Sequence, residues 1–427
     1  MGGFQVPLGE GAVDVALPDC DVTVAEPPGG EAVDVRAAAE AAVADPVGPA
    51  VTDLVSPDDT VAIVVTDLTR ATPDDVLVDV LLSELQRAGV YREQVTVVVG
   101  LGLHRPMTDE ELEAMLGEHA DLAVNHDPED TVEVGTVDGT PVELGRRVAL
   151  TDHVLSTGMV EPHQYAGFSG GGKTVAIGAG GDPLIRYTHA PEMLGNDGVR
   201  LGRVESNPFR EAVDEAGDRC GLEFCLNVTR GPTGTRTGEA SDAGSDEGGG
   251  SAGVLDVAAG DPRGVVRRLA DSARGALSVE VAGEFDAVVA GVGAPKDANL
   301  YQATRAATYV VLGANTPLRD GGRVVVPARL AEGAGEGSGE RRFYERLSGA
   351  DDAASLYETM RNGYEPGAQR AFVVARALRD HDVYVTNSEA PEVVEECLMT
   401  ARETVADAVE PGSDVLVVPD ALDTLLV

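Results

Sequence analysis

Short, unbroken apolar runs alternate along this chain with stretches whose apolar residues recur every three or four positions. The first pattern marks strands buried on both faces, and the second marks helices with one apolar stripe. VAIVVTD (Val61–Asp67) and QVTVVVG (Gln94–Gly100) are of the first kind. PDDVLVDVLLSELQRAG (Pro73–Gly89) opens on Pro and two acids, as helix N-termini do, and TDEELEAML (Thr108–Leu116) opens on a capping Thr. This alternation predicts a parallel sheet with right-handed crossovers. TVEVGTVDGTPVEL (Thr131–Leu144) interrupts it with a hairpin signal at Asp138–Gly139. A further strand near His153–Val160 leads into a glycine-rich stretch.

The second half repeats the alternation. Gly231–Gly253 is an acidic, low-complexity loop between two strand-like segments, LEFCLNVTR and AGVLDVAAG, and reads as an insertion within one domain. A helix from Asp261 to about Leu277 acts as connector. FDAVVAGV (Phe285–Val292) then starts a second α/β unit. Within it, Asn299–Leu312 reads as a helix, GGRVVVPA and HDVYVTN as strands, Pro391–Glu410 as one long helix, and DVLVVPD as the closing strand. The fold class is therefore α/β, with two domains, each a mainly parallel sheet flanked by helices. The expected partition is 1–260, a connector 261–283, a second domain 284–400, and a tail 401–427 returning to the first domain.

Composition narrows the function. The 427 residues are 43% apolar, and no apolar run reaches the length of a membrane span. The N-terminus lacks a signal-peptide pattern, and the four cysteines show neither disulfide nor zinc spacing, so a reducing, cytoplasmic setting is expected. Acidic residues outnumber basic ones 73 to 32, a formal net charge of −41. Self-repulsion on that scale calls for screening by salt, so the chain reads as halophilic, and nucleic acid is excluded as a partner. Only two of the 32 cations are lysines, Lys173 and Lys296. A chain that writes Arg for nearly every cation keeps Lys where an amine is needed, since an amine can bond covalently to a cofactor and a guanidinium effectively cannot.

Lys173 lies in EPHQYAGFSGGGKTVAIGAGGDPLIRYTH (Glu161–His189). Gly167-x4-Gly172-Lys173-Thr174 satisfies the P-loop pattern, and Gly170, Gly171 and Gly172 could present backbone N–H groups to a phosphate. The helix a P-loop requires is opposed by Gly178, Gly180, Gly181 and Pro183. A nucleotide-binding protein or NTPase is therefore the alternative reading. GLGL (Gly100–Leu103) is too short a dinucleotide fingerprint to carry a Rossmann assignment. Of seven histidines, His163 and His189 flank Lys173, and His104 follows the second strand; the other four read as structural or surface residues. Asp67 and Arg70 end the first clear strand, on the edge where parallel sheets build their sites. Such a set offers a carboxylate clamp, imidazoles for proton exchange and a metal ligand.

Taken together, DLTR, GLHRPMT, EPHxYAGFSGGGK, a His sixteen residues beyond that Lys, and PKDxNLYQ resemble the nickel-pincer lactate racemase family. The resemblance implies a site in the cleft between two α/β domains. It also implies a nickel-pincer nucleotide, a pyridinium thioamide/thiocarboxylate mononucleotide, attached covalently at Lys173, with His189 ligating nickel. By the same resemblance His104 and His163 are the acid/base pair, Asp67 orients His104, and Arg70 binds the substrate carboxylate. Gln302 and Arg305 stand near substrate and cofactor, with Arg305 where the family has Lys, and Lys296 is a further cofactor contact. The implied reaction is racemisation or epimerisation of a 2-hydroxyacid, lactate foremost, by reversible hydride transfer through a 2-keto acid. Partners would be that small molecule and the proteins that build the cofactor, with no membrane partner. A family member that has lost its cofactor and only binds ligands is a third possibility; the presence of Lys173 and all three key histidines speaks against it.

Overall fold

The computed structural model describes residues 3–102, 104–232, 253–313, 315–363 and 367–427. Most of the acidic loop, residues 233–252, and Leu103 of GLGL lie outside the described residues. After an N-terminal hairpin comes strand β1 (Asp21–Val24). The first sheet contains β2 (Val61–Thr66), β3 (Val95–Gly100), β4 (Ala123–Asn125), β5 (His153–Met159), β6 (Leu222–Arg230) and β7 (Val254–Gly260), in the order β7-β6-β5-β2-β3-β4. All its pairings are parallel except β6 with β7. That pairing spans the acidic loop, which is therefore an insertion. The second sheet contains β8 (Phe285–Ala290), β9 (Leu318–Pro327), β10 (Asp382–Thr386), β11 (Thr400–Arg402) and β12 (Asp414–Val418), in the order β11-β10-β9-β8-β12-β1, all parallel. The central strands are apolar throughout, as double-sided burial demands: Val61, Ala62, Ile63, Val64 and Val65 are each 0% exposed.

Three features differ from the sequence expectation. The first twenty-odd residues do not belong with the first sheet, because β1 adds to the edge of the second. The tail does not return to the first domain either: β12 is an inner strand of the second sheet, and only Leu425–Leu426 reaches back, to Ser278–Val279 at the end of the connector. The helix expected over Pro391–Glu410 is broken into Pro391–Glu396, β11 and Val405–Ala408. Leu398, at φ +62°, turns the chain, and Thr404 caps the second helix with Asp407. An added strand on the sheet edge outweighs local helix propensity there.

Seven helices matter to the site: α1 (Asp74–Arg87), α2 (Gly172–Ala176), α3 (Asp182–Thr188), α4 (Pro208–Arg219), α5 (Pro262–Leu277), α6 (Leu300–Val311) and α7 (Gln369–Leu378). The connector helix α5 packs on β6 and β7 and so belongs to the first layer. Helices α2 and α4 cross with almost no room between them. A Cβ on Gly172 would meet the Val213 carbonyl oxygen at 2.6 Å, and one on Gly217 would meet the Gly172 Cα at 2.7 Å. No helix among the described residues is long and apolar enough to cross a membrane.

Gly217→Ala is expected to destabilise the chain by about 1–3 kcal/mol through overpacking. Gly275→Ala, in an exposed turn of α5 where a Cβ meets nothing within 4 Å, is expected to be neutral or stabilising by up to about 1 kcal/mol. Urea unfolding at fixed salt checks both, and equal effects would refute the crossing as a packing constraint.

Candidate active site

Strands β2 and β5 are neighbours, but the chain leaves them in opposite directions along the sheet, toward β3 and β6. Such a switch point opens a crevice beyond the strand C-termini. The residues just past those termini face one another across it. After β2, Asp67 caps a short turn over Leu68–Arg70, accepting a hydrogen bond from the Thr69 amide at 3.1 Å. After β5 come Glu161 and His163, and Arg70 forms an ion pair with Glu161. After β3, the Gly102 amide donates to the Gly178 carbonyl at 2.8 Å, drawing the His104 loop against the segment between α2 and α3. Helices α6 and α7 supply the opposite wall, through Tyr301, Arg305 and Arg370. The cleft encloses about 290 Å³.

Hydrogen bonding fixes the tautomer of each histidine, with His104 and His189 protonated on Nδ1 and His163 on Nε2. His104 Nδ1 lies 2.5 Å from Asp67 Oδ2, so it donates there and leaves Nε2 with a lone pair. Burial pushes the Asp67 carboxyl up, but the bonds from His104 and Thr69 outweigh it and hold the group below its ordinary value. His163 is the reverse. Its Nδ1 accepts from the Tyr165 and Ala166 amides at 3.3 and 3.1 Å, leaving the proton on Nε2. Burial, followed by the charges of Lys173 and Arg70, holds this ring well below the usual histidine value, so it is neutral. His189 caps the C-terminus of α3 and donates from Nδ1 to the Ile185 carbonyl at 3.0 Å, so its Nε2 lone pair is free. Burial and Lys173 push its pKa down to about 4. His163 and His189 each pack against both Tyr165 and Phe209, which fixes the two rings relative to each other.

Lys173 sits on the cleft wall in the first turn of α2. It makes no hydrogen bond or ion pair among the described residues. Burial first, then the nearby Arg70 and Arg210, lower its pKa to about 7. Its amine is thus largely unprotonated above that pH, the form that acts as a nucleophile. Arg210, which the sequence did not single out, is 1% exposed and holds the loop below Lys173 through the Phe168 and Gly170 carbonyls at 3.2 and 3.3 Å. Its charge is balanced by Asp214 at 2.6 Å. Gly170 and Gly171 adopt φ of +80° and +57°, which only glycine takes freely.

Of the residues expected from sequence, Asp67, Arg70, His104, His163, Gly170, Lys173, His189 and Arg305 all line this cleft. Four do not. Gly171 and Gly172 are buried against α5 and α4, so packing accounts for them without a ligand. Gln302, half-buried on α6, is not among the residues lining the cleft, and Lys296 is exposed on a turn before α6. The P-loop helix is absent as well: α2 stops after five residues, before Gly178. A larger surface groove of about 610 Å³ lies behind α4, but its charges pair with one another, as Arg219 does with Glu215 and Arg263 with Asp218.

Residues 8–202 match the lactate racemase N-terminal domain family, and residues 282–423 match the lactate racemase C-terminal domain family. The chain belongs to the lactate racemase family. A lactate racemase from Thermoanaerobacterium thermosaccharolyticum is 25% identical over 391 residues, covering 88% of this chain and 86% of the relative. One from Lactiplantibacillus plantarum is 27% identical over 389 residues, covering 86% and 84%. The lactate racemase apoprotein structure from T. thermosaccharolyticum superposes with a TM-score of 0.83 at 24% identity over 100% of both chains. A Thermotoga maritima protein superposes with a TM-score of 0.62 at 17% identity, covering 92% of this chain and 97% of its own. This lactate racemase family member thus shares its overall fold with both.

In the cofactor-free chain, an amine-directed acylating reagent is expected to modify Lys173 with a midpoint near pH 7, followed by peptide mass spectrometry. A midpoint near 10, the ordinary lysine value, would refute a depressed amine.

Proposed function

We propose that this chain racemises a short 2-hydroxyacid, lactate being the substrate its relatives are named for. The observation that carries the reading is the convergence, in one cleft, of an unpaired, buried amine, a histidine with a free Nε2, and two further histidines of opposite hydrogen-bonding polarity.

The donor set fits a nickel-pincer nucleotide. Lys173 would attach it covalently, because its amine has no competing partner and loses its proton near pH 7. His189 would ligate nickel, because Nδ1–H is committed to Ile185 and the neutral ring offers Nε2. When bound, such a cofactor supplies an acceptor for the substrate's α-hydrogen as hydride. The chain's own residues handle the proton and the carboxylate. His104 takes the hydroxyl proton on Nε2, and Asp67 stabilises the imidazolium that results. His163 turns its Nε2–H toward the substrate oxygen and polarises it. Arg70 clamps the carboxylate, and its ion pair with Glu161 holds the guanidinium in place. Loss of the proton and the hydride leaves a planar 2-keto acid, and return to its other face inverts C2.

The cofactor-loaded enzyme is expected to turn at least one single enantiomer, L-lactate or L-malate, into the racemate in a chiral assay; conversion of neither would overturn the proposal. Asp67→Asn should lower kcat by about 10²-fold or more, with a much smaller change in KM. His189→Ala should lower bound nickel more than His104→Ala does, and equal nickel in the two would rule out His189 as the ligand.

A further inference from the structure

Two arginines among the described residues are essentially fully buried, and they are treated differently. Arg210, 1% exposed, is neutralised by Asp214 at 2.6 Å. Arg370, 2% exposed, has no carboxylate within ion-pair distance among the described residues. Its partners are neutral: Thr304 Oγ1 at 3.0 and 3.3 Å, and Gln164 Oε1 at 2.9 Å. These bonds use three of the five guanidinium N–H groups and leave two, and the residue lines the cleft. Arg305, which follows Thr304 on α6, also lines the cleft; its buried Nε has no partner, and its guanidinium pairs with no acid among the described residues. Besides Arg305, the groups that act on Arg370 electrostatically are the phenols of Tyr165, Tyr301 and Tyr309, none of them a carboxylate. An uncompensated buried charge is strongly destabilising. A chain with 73 acidic residues has had every opportunity to place one here.

We propose that Arg370 and Arg305 form a subsite for an oxyanion other than the carboxylate next to the reacting carbon: a second carboxylate on the substrate, or a phosphate on a bound nucleotide. Placement favours the first source. Arg370 holds Gln164, the residue after His163, and Arg305 acts electrostatically on the His163 ring. The charges that act on Lys173 are instead Arg70, Arg210, Glu161 and Asp67. The pair therefore lies on the α6–α7 wall within electrostatic reach of His163, as Lys173 and Arg70 also are. With Arg70 on the loop after β2 and the pair on helices α6 and α7, the cleft offers cations on both walls, which suits a 2-hydroxydicarboxylate better than a monocarboxylate. This deepens the racemase reading and rests on it for the identity of the substrate, although the subsite itself does not.

The test is calorimetric titration of the cofactor-free chain, in molar KCl, with L-malate, L-lactate and inorganic phosphate. Wild type is expected to bind malate at least about tenfold more tightly than lactate, and Arg370→Gln to abolish that preference. If malate shows no preference but phosphate binds and loses at least about tenfold in Arg370→Gln, the subsite stands and serves a phosphate. Malate and phosphate binding unchanged in both Arg370→Gln and Arg305→Gln would overturn the proposal. Should Arg370→Gln fail to fold, Arg305→Gln and the wild-type malate-to-lactate ratio decide. A chain that binds malate through Arg370 yet racemises nothing would defeat the racemase reading and leave the subsite intact.

Discussion

Positive charge without a counter-ion raises the free energy of a folded chain, and this chain gathers such charge in one place. Its formal net charge is −41, yet the cleft wall carries Arg305 and Arg370 with no acidic partner among the described residues. Asp67, which lines the cleft, is committed to His104, and Glu161 is committed to Arg70. The rest of the acidic surplus is kept elsewhere. Salt screens exposed charges beyond roughly 10 Å at 0.1 M and much closer in at higher ionic strength, but screens partly buried groups far less. A salt-rich medium can therefore relieve the repulsion on the surface while the cleft keeps its affinity for anions.

The fold meets this constraint with backbone geometry. A switch point between β2 and β5 sets two loops face to face, and the β3 loop is tied down through Gly102 and Gly178. The close crossing of α2 and α4 then fixes Lys173 above Arg210, whose guanidinium grips the loop carbonyls beneath the amine. Burial, followed by the charges of Arg70 and Arg210, lowers the pKa of the amine to about 7. The glycines of the 170–172 run owe more to this crossing and to left-handed backbone than to a phosphate cradle.

Much of the site was legible because its residues fall at strand ends or in one short glycine-rich segment. The scarcity of lysine pointed to Lys173, and the strand endings pointed to Asp67 and His104. Arg210 and Arg370 were not legible. Each sits in a sequence, PFREAVDEAGDR or QRAFVVARAL, that reads as an ordinary amphipathic helix. Only tertiary packing turns one beneath the loop and the other into the cleft. Lys296 failed in the opposite sense, since a motif next to the correct helix leaves its side chain outside. The misread helix over Pro391–Glu410 has the same origin: whether Thr400–Arg402 pairs with β10 is decided by a strand that precedes it in the chain and lies beside it in space.

The most direct measurement is the intact mass of the protein, with peptide mapping, after purification from a salt-adapted host that makes the cofactor. The expected result is one nucleotide-sized, sulfur-containing adduct confined to the peptide bearing Lys173. A racemising protein of unmodified mass, or an adduct on the Lys296 peptide instead, would contradict the assignment of Lys173 as the point of attachment.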